Sequence, residues 1–325
     1  MNFKEAPAVT LRPSSTSILA ISSRDRFKNY DEERIEADAL GFNHSPYDFT
    51  ITKNESLMNG FFTRLALTEI SFDYTIPNIN YYTNTIIIEY QVGANPVVSA
   101  QYAVNSGMPI FLTPNQLATD IQTHVQGLDP TLTGFTMTYG ANGMPFFAYA
   151  TNSSTTIAFK PLPNGTTYGI ASTVVTPNQK QLFDVLGFVD RNTQLNTSEG
   201  GNATFGTYTD FIDITCSVLT YNQPLKDTMS QTVARDVIAR VFLNQINGSL
   251  TGNTLAPSNA NFAPPGTKVF QIYHNYTHPK QINWTPNQPV GQLQFVLYDD
   301  SGNKISDAVA DPEGNWNMTL LVSEN

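Results

Sequence analysis

One cysteine, Cys216, stands among 325 residues, which excludes a disulfide within the chain and leaves stability to a buried apolar core. Charge is scarce too: Asp, Glu, Lys and Arg make up 14% of the chain, against roughly a quarter in soluble domains. No run of 18 apolar residues occurs, so no membrane-spanning helix is expected. The opening stretch, Met1-Asn-Phe-Lys-Glu-Ala-Pro7, has no apolar core of the kind a signal peptide needs. With the lone thiol, this predicts folding in a reducing compartment. A Gly-rich phosphate loop, a paired-Cys metal pattern and a Gly-x-Ser-x-Gly elbow are all missing, and no cofactor is expected.

Asn, Thr, Ser and Gln take the place of the missing charge. Amides and hydroxyls cost less to desolvate than charges, so such a surface suits burial in large contacts, or equally an ordinary extracellular-type β sandwich. The net charge of −10 sets the body against nucleic acid and anionic membranes. The charge is uneven, however. Lys4, Arg12, Arg24, Arg26 and Lys28 face only Glu5 and Asp25 in the first 30 residues, and the acidic run Asp31-Glu-Glu-Arg-Ile-Glu-Ala-Asp38 follows. Residues 1–44, with Pro7, Pro13 and one apolar patch at 18–21, read as an extended arm that orders against neighbours. The sequons at Asn152, Asn202 and Asn275 read as chance products of an Asn- and Thr-rich chain.

Short alternating strands fill the last third: 211–219, 236–245, 268–276, 291–299 and 316–323, with Pro, Gly, Asn and Asp between them. Cys216 is placed on the apolar face of the first of these, with Ile212, Ile214 and Val218, as an inert buried thiol. Three strands are expected earlier. In 47–52, Phe49 and Ile51 face inward; 85–92 has the continuous Ile86-Ile-Ile88 of a doubly covered sheet. In 62–76 the apolar parity slips from Leu65 and Leu67 to Ile70, Phe72, Tyr74 and Ile76, which predicts a bulge near Thr68-Glu69. Three and five make eight, the number for an antiparallel jelly roll, whereas an immunoglobulin-like sandwich usually needs fewer.

Between 97 and 190 the pattern changes. Thr113-Pro-Asn-Gln116 is a capping box with Pro at the first helical position, followed by Leu117, Ile121 and Val125 on one face and closed at Gly127. A meander is expected over 135–139, 146–150 and 156–160. A second Thr176-Pro-Asn-Gln179 box opens a helix carrying Leu182 and Leu186, closed by Gly187. The same tetrapeptide at 285–288 leads into a strand, so it is local grammar and not a duplicated domain. The expected organisation is an arm over 1–44, jelly roll over 45–96, an α+β insertion over 97–190, and jelly roll again over 191–325.

Candidates for chemistry are thin. His274 and His278 share a strand face but stand ~13 Å apart, too far for one metal ion. His124 is expected on the polar side of the first helix, and His44 lies in the arm. Asp299-Asp-Ser-Gly-Asn303 reads as a hairpin turn with Gly at positive φ, ahead of a calcium loop. Asp210 and Asp213 are expected on the exposed face of their strand; spacing alone leaves an acid/base pair open, as in a jelly-roll glycanase. Phe146-Phe147-Tyr149 reads as core before sugar-stacking platform. Tyr81-Tyr82, beside a loop, is a candidate intersubunit contact. No catalytic, metal or cofactor residue is assigned.

The order of features resembles the penton (vertex, minor capsid) proteins of double-stranded DNA viruses with double-jelly-roll major capsids, as found in virophages, polinton-like viruses and giant-virus relatives. The stretches that carry it are Ser22-Ser-Arg-Asp-Arg26, Ser45-Pro-Tyr-Asp-Phe-Thr50, Phe111-Leu-Thr-Pro-Asn-Gln-Leu117, Phe135-Thr-Met-Thr-Tyr139 and Leu182-Phe-Asp-Val-Leu-Gly-Phe188. Toward the end come Leu219-Thr-Tyr-Asn-Gln-Pro-Leu225, Gln281-Ile-Asn-Trp284 and Leu293-Gln-Phe-Val-Leu-Tyr-Asp-Asp-Ser-Gly302. The resemblance covers nearly the whole chain as a pattern of elements. It implies a non-enzymatic structural protein of the virion, assembled inside a host cell as a homo-pentamer that plugs an icosahedral vertex. The jelly roll would stand upright, with the insertion outermost. Its neighbours would be major capsid capsomers, and the insertion is a candidate host-surface contact; Arg24, Arg26, Tyr81 and Tyr82 become candidate arm or intersubunit contacts. Arg-Gly-Asp, the integrin-binding motif of some relatives, is absent, so no receptor role is carried over. The alternatives are a trimeric or non-vertex capsid subunit and a receptor- or glycan-binding module of the fibre-head kind.

Overall fold

In the computed structural model the described residues are 16–27, 32–33, 35, 45–52, 62–107, 109–140, 146–168, 173–174, 180–188, 195–202, 209–220, 237–243, 270–277, 279, 281–283, 290–305 and 314–324. The chain is mainly β. Strands β1 Thr16–Ser22, β2 Asp48–Thr52 and β3 Arg64–Tyr74 come first. β4 Thr85–Val92, β5 Val98–Ala103, helix α1 Pro114–Leu128, β6 Thr136–Tyr139, β7 Phe146–Ala150 and β8 Thr155–Lys160 follow. Then come the short pair β9 Thr167–Tyr168 and β10 Thr173–Val174, helix α2 Leu182–Leu186 and β11 Ser198–Asn202. β12 Phe211–Thr215, β13 Val237–Phe242, β14 Phe270–Asn275, β15 Gln281–Asn283, β16 Gln292–Tyr298 and β17 Trp316–Ser323 complete the order.

Two antiparallel sheets form a sandwich. One runs β1-β17-β3-β14, with β15 also on β3; the other runs β13-β12-β16-β2. Their inward faces share one core, in which Ile21, Phe72, Ile272 and Met318 meet Phe49, Ile214, Val241 and Phe295. Period-two alternation produces this: Leu293, Phe295 and Leu297 are buried between exposed Gln292 and Gln294. Trp316 is the hub. Its ring centroid lies 5.6 Å from that of Phe49 and 5.5 Å from that of Phe295, and its indole N–H donates to the Pro46 carbonyl at 2.8 Å.

The bulge falls where the parity slip put it. β17 pairs Thr319 with Glu69 but Leu320 with Leu67, so Thr68 is the extra residue. Its hydroxyl donates to the Thr319 carbonyl at 3.1 Å, and its own carbonyl accepts the Tyr276 N–H at 2.8 Å. One inserted residue thus lets both halves of β3 present apolar side chains inward.

Membership of the sandwich differs from the expectation in two places. Residues 16–22, read as arm, form β1, paired along its whole length with β17. The pattern is faint because β1 is an edge strand, with Ile21 its one fully buried side chain. β4, counted in the sandwich, instead pairs with β5 and β8 in a second unit. Ile86-Ile-Ile88 looked like a sandwich strand because a covered sheet reads the same wherever it lies. The second unit therefore begins before residue 97, and it reaches past 190, since β11 pairs with β7.

The second unit has its own core, built by the sheets β5-β4-β8 and β11-β7-β6 with both helices. Helix α1 starts as read: Thr113 accepts from the Gln116 N–H at 3.2 Å and Gln116 reaches back to the Thr113 N–H at 2.8 Å. Leu117, Ile121 and Val125 are buried, and the helix runs to Leu128, one residue beyond Gly127. Helix α2 is capped by Gln181 with Asp184 and ends at Gly187 in the left-handed conformation. Gln181 bonds both backbone groups of Leu162, tying α2 to the end of β8. The Thr176–Gln179 box lies outside the described residues.

Candidate functional site

Where β1 ends, Ser22 and Asp25 make a reciprocal cap around the 3-10 turn Ser23–Arg26. The Arg26 guanidinium donates to the Ser23 carbonyl at 2.7 Å and to Asn315 Oδ1 at 3.1 Å, and sits 4.7 Å from the Phe27 ring. Ser23 Oγ accepts from the Trp316 N–H at 3.0 Å. Arg26 therefore pins the chain beside β1 onto the start of β17, a contact within the protomer. Arg24, on the same turn, is exposed.

Tyr81 and Tyr82 part company. Asn80 Oδ1 accepts from the N–H groups of Tyr82 and Thr83 at 2.9 and 3.3 Å, an Asx turn at the junction of the two units. Tyr82 points into the sandwich core and is buried within the protomer. Tyr81 remains half-exposed on the turn.

The carboxylate pair does not form either. Asp213 lies on the outer side of its strand, between the inward Ile212 and Ile214, yet it is fully buried. Arg240, directly opposite on β13, holds it by two bonds: Nε to Oδ1 at 2.7 Å and an Nη to Oδ2 at 2.9 Å. The same guanidinium stacks 4.1 Å over Phe211. A carboxylate held bidentately and shielded from water is a structural tie and a poor acid or base. Asp210 is engaged elsewhere: its N–H donates to Asp300 Oδ2 at 2.8 Å. Sequence reading missed Arg240, because only the cross-strand register brings it opposite Asp213.

The 299–303 turn is as expected. Asp299 Oδ1 accepts the Asn303 N–H at 2.7 Å, the Asp299 carbonyl accepts the Gly302 N–H at 3.1 Å, and Gly302 has φ +83°. Burial pushes the Asp299 carboxyl up to about 6, against the opposing pull of the Asn303 bonds.

His124 stacks on Tyr102 with ring centroids 3.8 Å apart, and Tyr102 donates its hydroxyl to Asp120. Burial drives the Tyr102 phenol upward and holds His124 below the usual imidazole range, with Asp120 opposing the latter. His124 is thus partly covered instead of standing on a wet face. An open groove of about 500 Å³ beside it is lined by Val104, Asn105, Leu112, Asn115, Thr119 and Thr123, among others. His274 lies 3.4 Å from the Phe242 carbonyl; His44 and His278 lie outside the described residues. Among the described residues no three His, Cys, Asp or Glu side chains converge as metal ligands.

Cys216 is buried as expected, whereas Val218 lies beyond the end of β12 and is partly exposed. Phe147 and Tyr149 are buried in the second core, the Tyr149 hydroxyl donating to the Ile157 carbonyl at 2.8 Å, so they form no sugar platform. No helix among the described residues is long and apolar enough to cross a membrane.

No family model matches the chain, and no curated protein is similar to it. Among solved structures, the chain is similar to the mavirus penton protein at 10% identity and a TM-score of 0.48, over 97% of this chain and 100% of that one. It is also similar to a chain of the Sputnik virophage structure at 12% identity and a TM-score of 0.36, over 85% of this chain and 91% of that one.

Proposed function

We propose that this chain is a structural capsid protein whose upright sandwich forms a pentameric vertex capsomer. In this reading the eight strands β1, β2, β3, β12, β13, β14, β16 and β17 make one jelly roll. The observation that carries it is their order: four and four in two facing sheets, β1-β17-β3-β14 and β13-β12-β16-β2. Apart from the step from β12 to β13, successive strands cross from one sheet to the other, as two nested Greek keys require. The second unit, between β3 and β12, is the insertion, and it occupies the outer end of the capsomer. The pattern of sequence elements that resembles penton proteins supports the same reading. So does the state of the best carboxylate candidate, Asp213, which is locked to Arg240.

In the capsid the chain would contact copies of itself and neighbouring major capsid capsomers, and the residues before β1 would order against them. Arg24 and Tyr81 are the exposed or half-exposed members of the contact set read from the sequence. The test is to express the tagged chain together with the major capsid protein of the same virus and reconstruct the particles. Tag density confined to the vertices is expected; density absent from particles, or on the faces, would contradict the proposal.

A further inference from the structure

His124 stands out among the polar groups of the second unit. Its Nε2 is shielded from solvent and finds no hydrogen-bond partner among the described residues, an arrangement that folded proteins rarely tolerate without a reason. The imidazole lies on Tyr102 with 17° between the ring planes, and the Tyr102 hydroxyl donates to Asp120 Oδ2, one turn before His124 on α1. Tyr102 comes from β5, the edge strand of its sheet, so the stack and this bond tie the edge to the helix. Beyond Tyr102 the backbone is strained: Asn105, Ser106 and Gly107 have φ of 49°, 54° and 85° in succession. Asn84 holds that turn, its carbonyl accepting the Val104 N–H at 2.8 Å and its amide donating to the Gly107 carbonyl at 2.6 Å. Val104 and Asn105 of the turn and Asn115 and Thr119 of α1 line the groove of about 500 Å³.

We propose that His124 is an acid-sensitive latch: neutral, it keeps the end of β5 docked on α1, and its protonation releases the stack and widens the groove. Geometry sets the direction. A neutral imidazole can carry its hydrogen on Nδ1 and bury only a lone pair at Nε2. An imidazolium has N–H groups at both nitrogens and would bury one of them without an acceptor. Once the ring swings into solvent both N–H groups are hydrated, so protons drive the open form. The ionisable groups around the ring are few. Asp120 opposes the effect, since its charge favours the imidazolium, but its Oδ2 is engaged by Tyr102. Helix α1 and strand β5 carry no other ionisable side chain, and the turns 104–107 and 130–134 carry none. Tyr139 on β6 packs on Phe147, Asp129 at the end of α1 is bound to Thr131, and Glu89 on β4 is paired with Lys160. Burial outweighs Asp120 and holds the imidazole below its ordinary 6.5. With the closed-state value depressed, this contribution to the closed form is present above pH 6.5 and is lost as pH falls below it.

The test is hydrogen–deuterium exchange of the full chain at pH 7.5 and pH 5.5, read by mass spectrometry and corrected for the intrinsic pH dependence of amide exchange. Exchange of the amides of residues 98–107 is expected to rise severalfold at pH 5.5. About tenfold is the ceiling, because the open imidazole gains one decade of protonation per pH unit below 6.5. His124→Phe keeps a ring on Tyr102 and cannot titrate, so its exchange is expected to be the same at both pH values. His124→Gln, without a ring, serves if the Phe variant fails to fold; it is expected to exchange fast at both. Asp120→Asn leaves an acceptor for Tyr102 but removes the opposing charge, and is expected to bring the rise closer to its ceiling. A wild type equally protected at both pH values would overturn the inference. So would the same rise in His124→Phe, or a rise shared by β3 and β17 of the sandwich. None of these outcomes bears on the capsomer reading.

Discussion

At the scale of single residues, Trp316 is a hub of the sandwich. Its side chain is fully buried, bridges Phe49 and Phe295 from the opposite sheet and donates to the Pro46 carbonyl, while its backbone N–H donates to Ser23. Trp316→Ala is expected to cost about 4 kcal/mol, measurable as a shift in denaturant midpoint; a loss below about 1 kcal/mol would deny it that role. Gly314 nearby has no room for a side chain, since a Cβ there would stand 2.5 Å from Thr75 Oγ1 and 2.6 Å from the Tyr47 hydroxyl, which are themselves bonded at 2.8 Å. The Asp213–Arg240 pair predicts an asymmetry. Arg240→Ala takes the guanidinium away from a buried carboxylate and is expected to cost about 3 kcal/mol, part of which Asp213→Asn recovers in the double variant. Asp299 predicts a pH dependence of opposite sign to the usual carboxylate. Its folded value, about 6, lies above the ordinary 3.8, so its protonated form favours the fold. That contribution is present below about pH 4 and is lost as pH rises through 6. Asp299→Asn is therefore expected to melt higher than the wild type at pH 7.5, with the difference vanishing near pH 4; a difference independent of pH would refute this.

At the scale of elements, the bulge is the sharpest test of register. Deleting Thr68 would remove the extra residue and leave β3 with one continuous alternation in which Leu65, Leu67, Ile70 and Phe72 all face inward, so the deletion is expected to keep cooperative unfolding, and its loss would contradict this register. Thr68→Ala, which keeps the backbone, is expected to cost no more than about 1 kcal/mol. This bulge, the α1 capping box and the 299–303 turn were legible in the sequence because each depends on a few adjacent residues. What depends on distant partners was not legible. β1 is short, carries Thr16, Ala20 and Ser22 beside Ile18 on its outward side, and becomes a strand only by lying along β17, about 300 residues away. β4 is apolar on both faces, so nothing local tells which of two cores it joins. The same holds for the candidate contacts. Tyr82 and Asp213 look like surface residues in the chain and are buried by elements that only the folded register supplies.

At the scale of the whole molecule, two units with separate cores divide the work. The sandwich is built from two facing sheets, with exposed apolar side chains at Ile18, Leu321, Phe242 and Tyr273; the second unit is built from a continuous stretch between β3 and β12. That division suits a building block that packs side by side through one part and presents the other. Under the proposed capsomer reading the poverty in charge follows, since an obligate assembly would bury well over 2,000 Å² and desolvate whatever lies there. The central claim is five-fold closure, and native mass spectrometry of the purified wild-type protein across a concentration series addresses it most directly. The account predicts a species of five times the 35.8 kDa chain mass that persists on dilution. A trimer, or a monomer at every concentration, would contradict it.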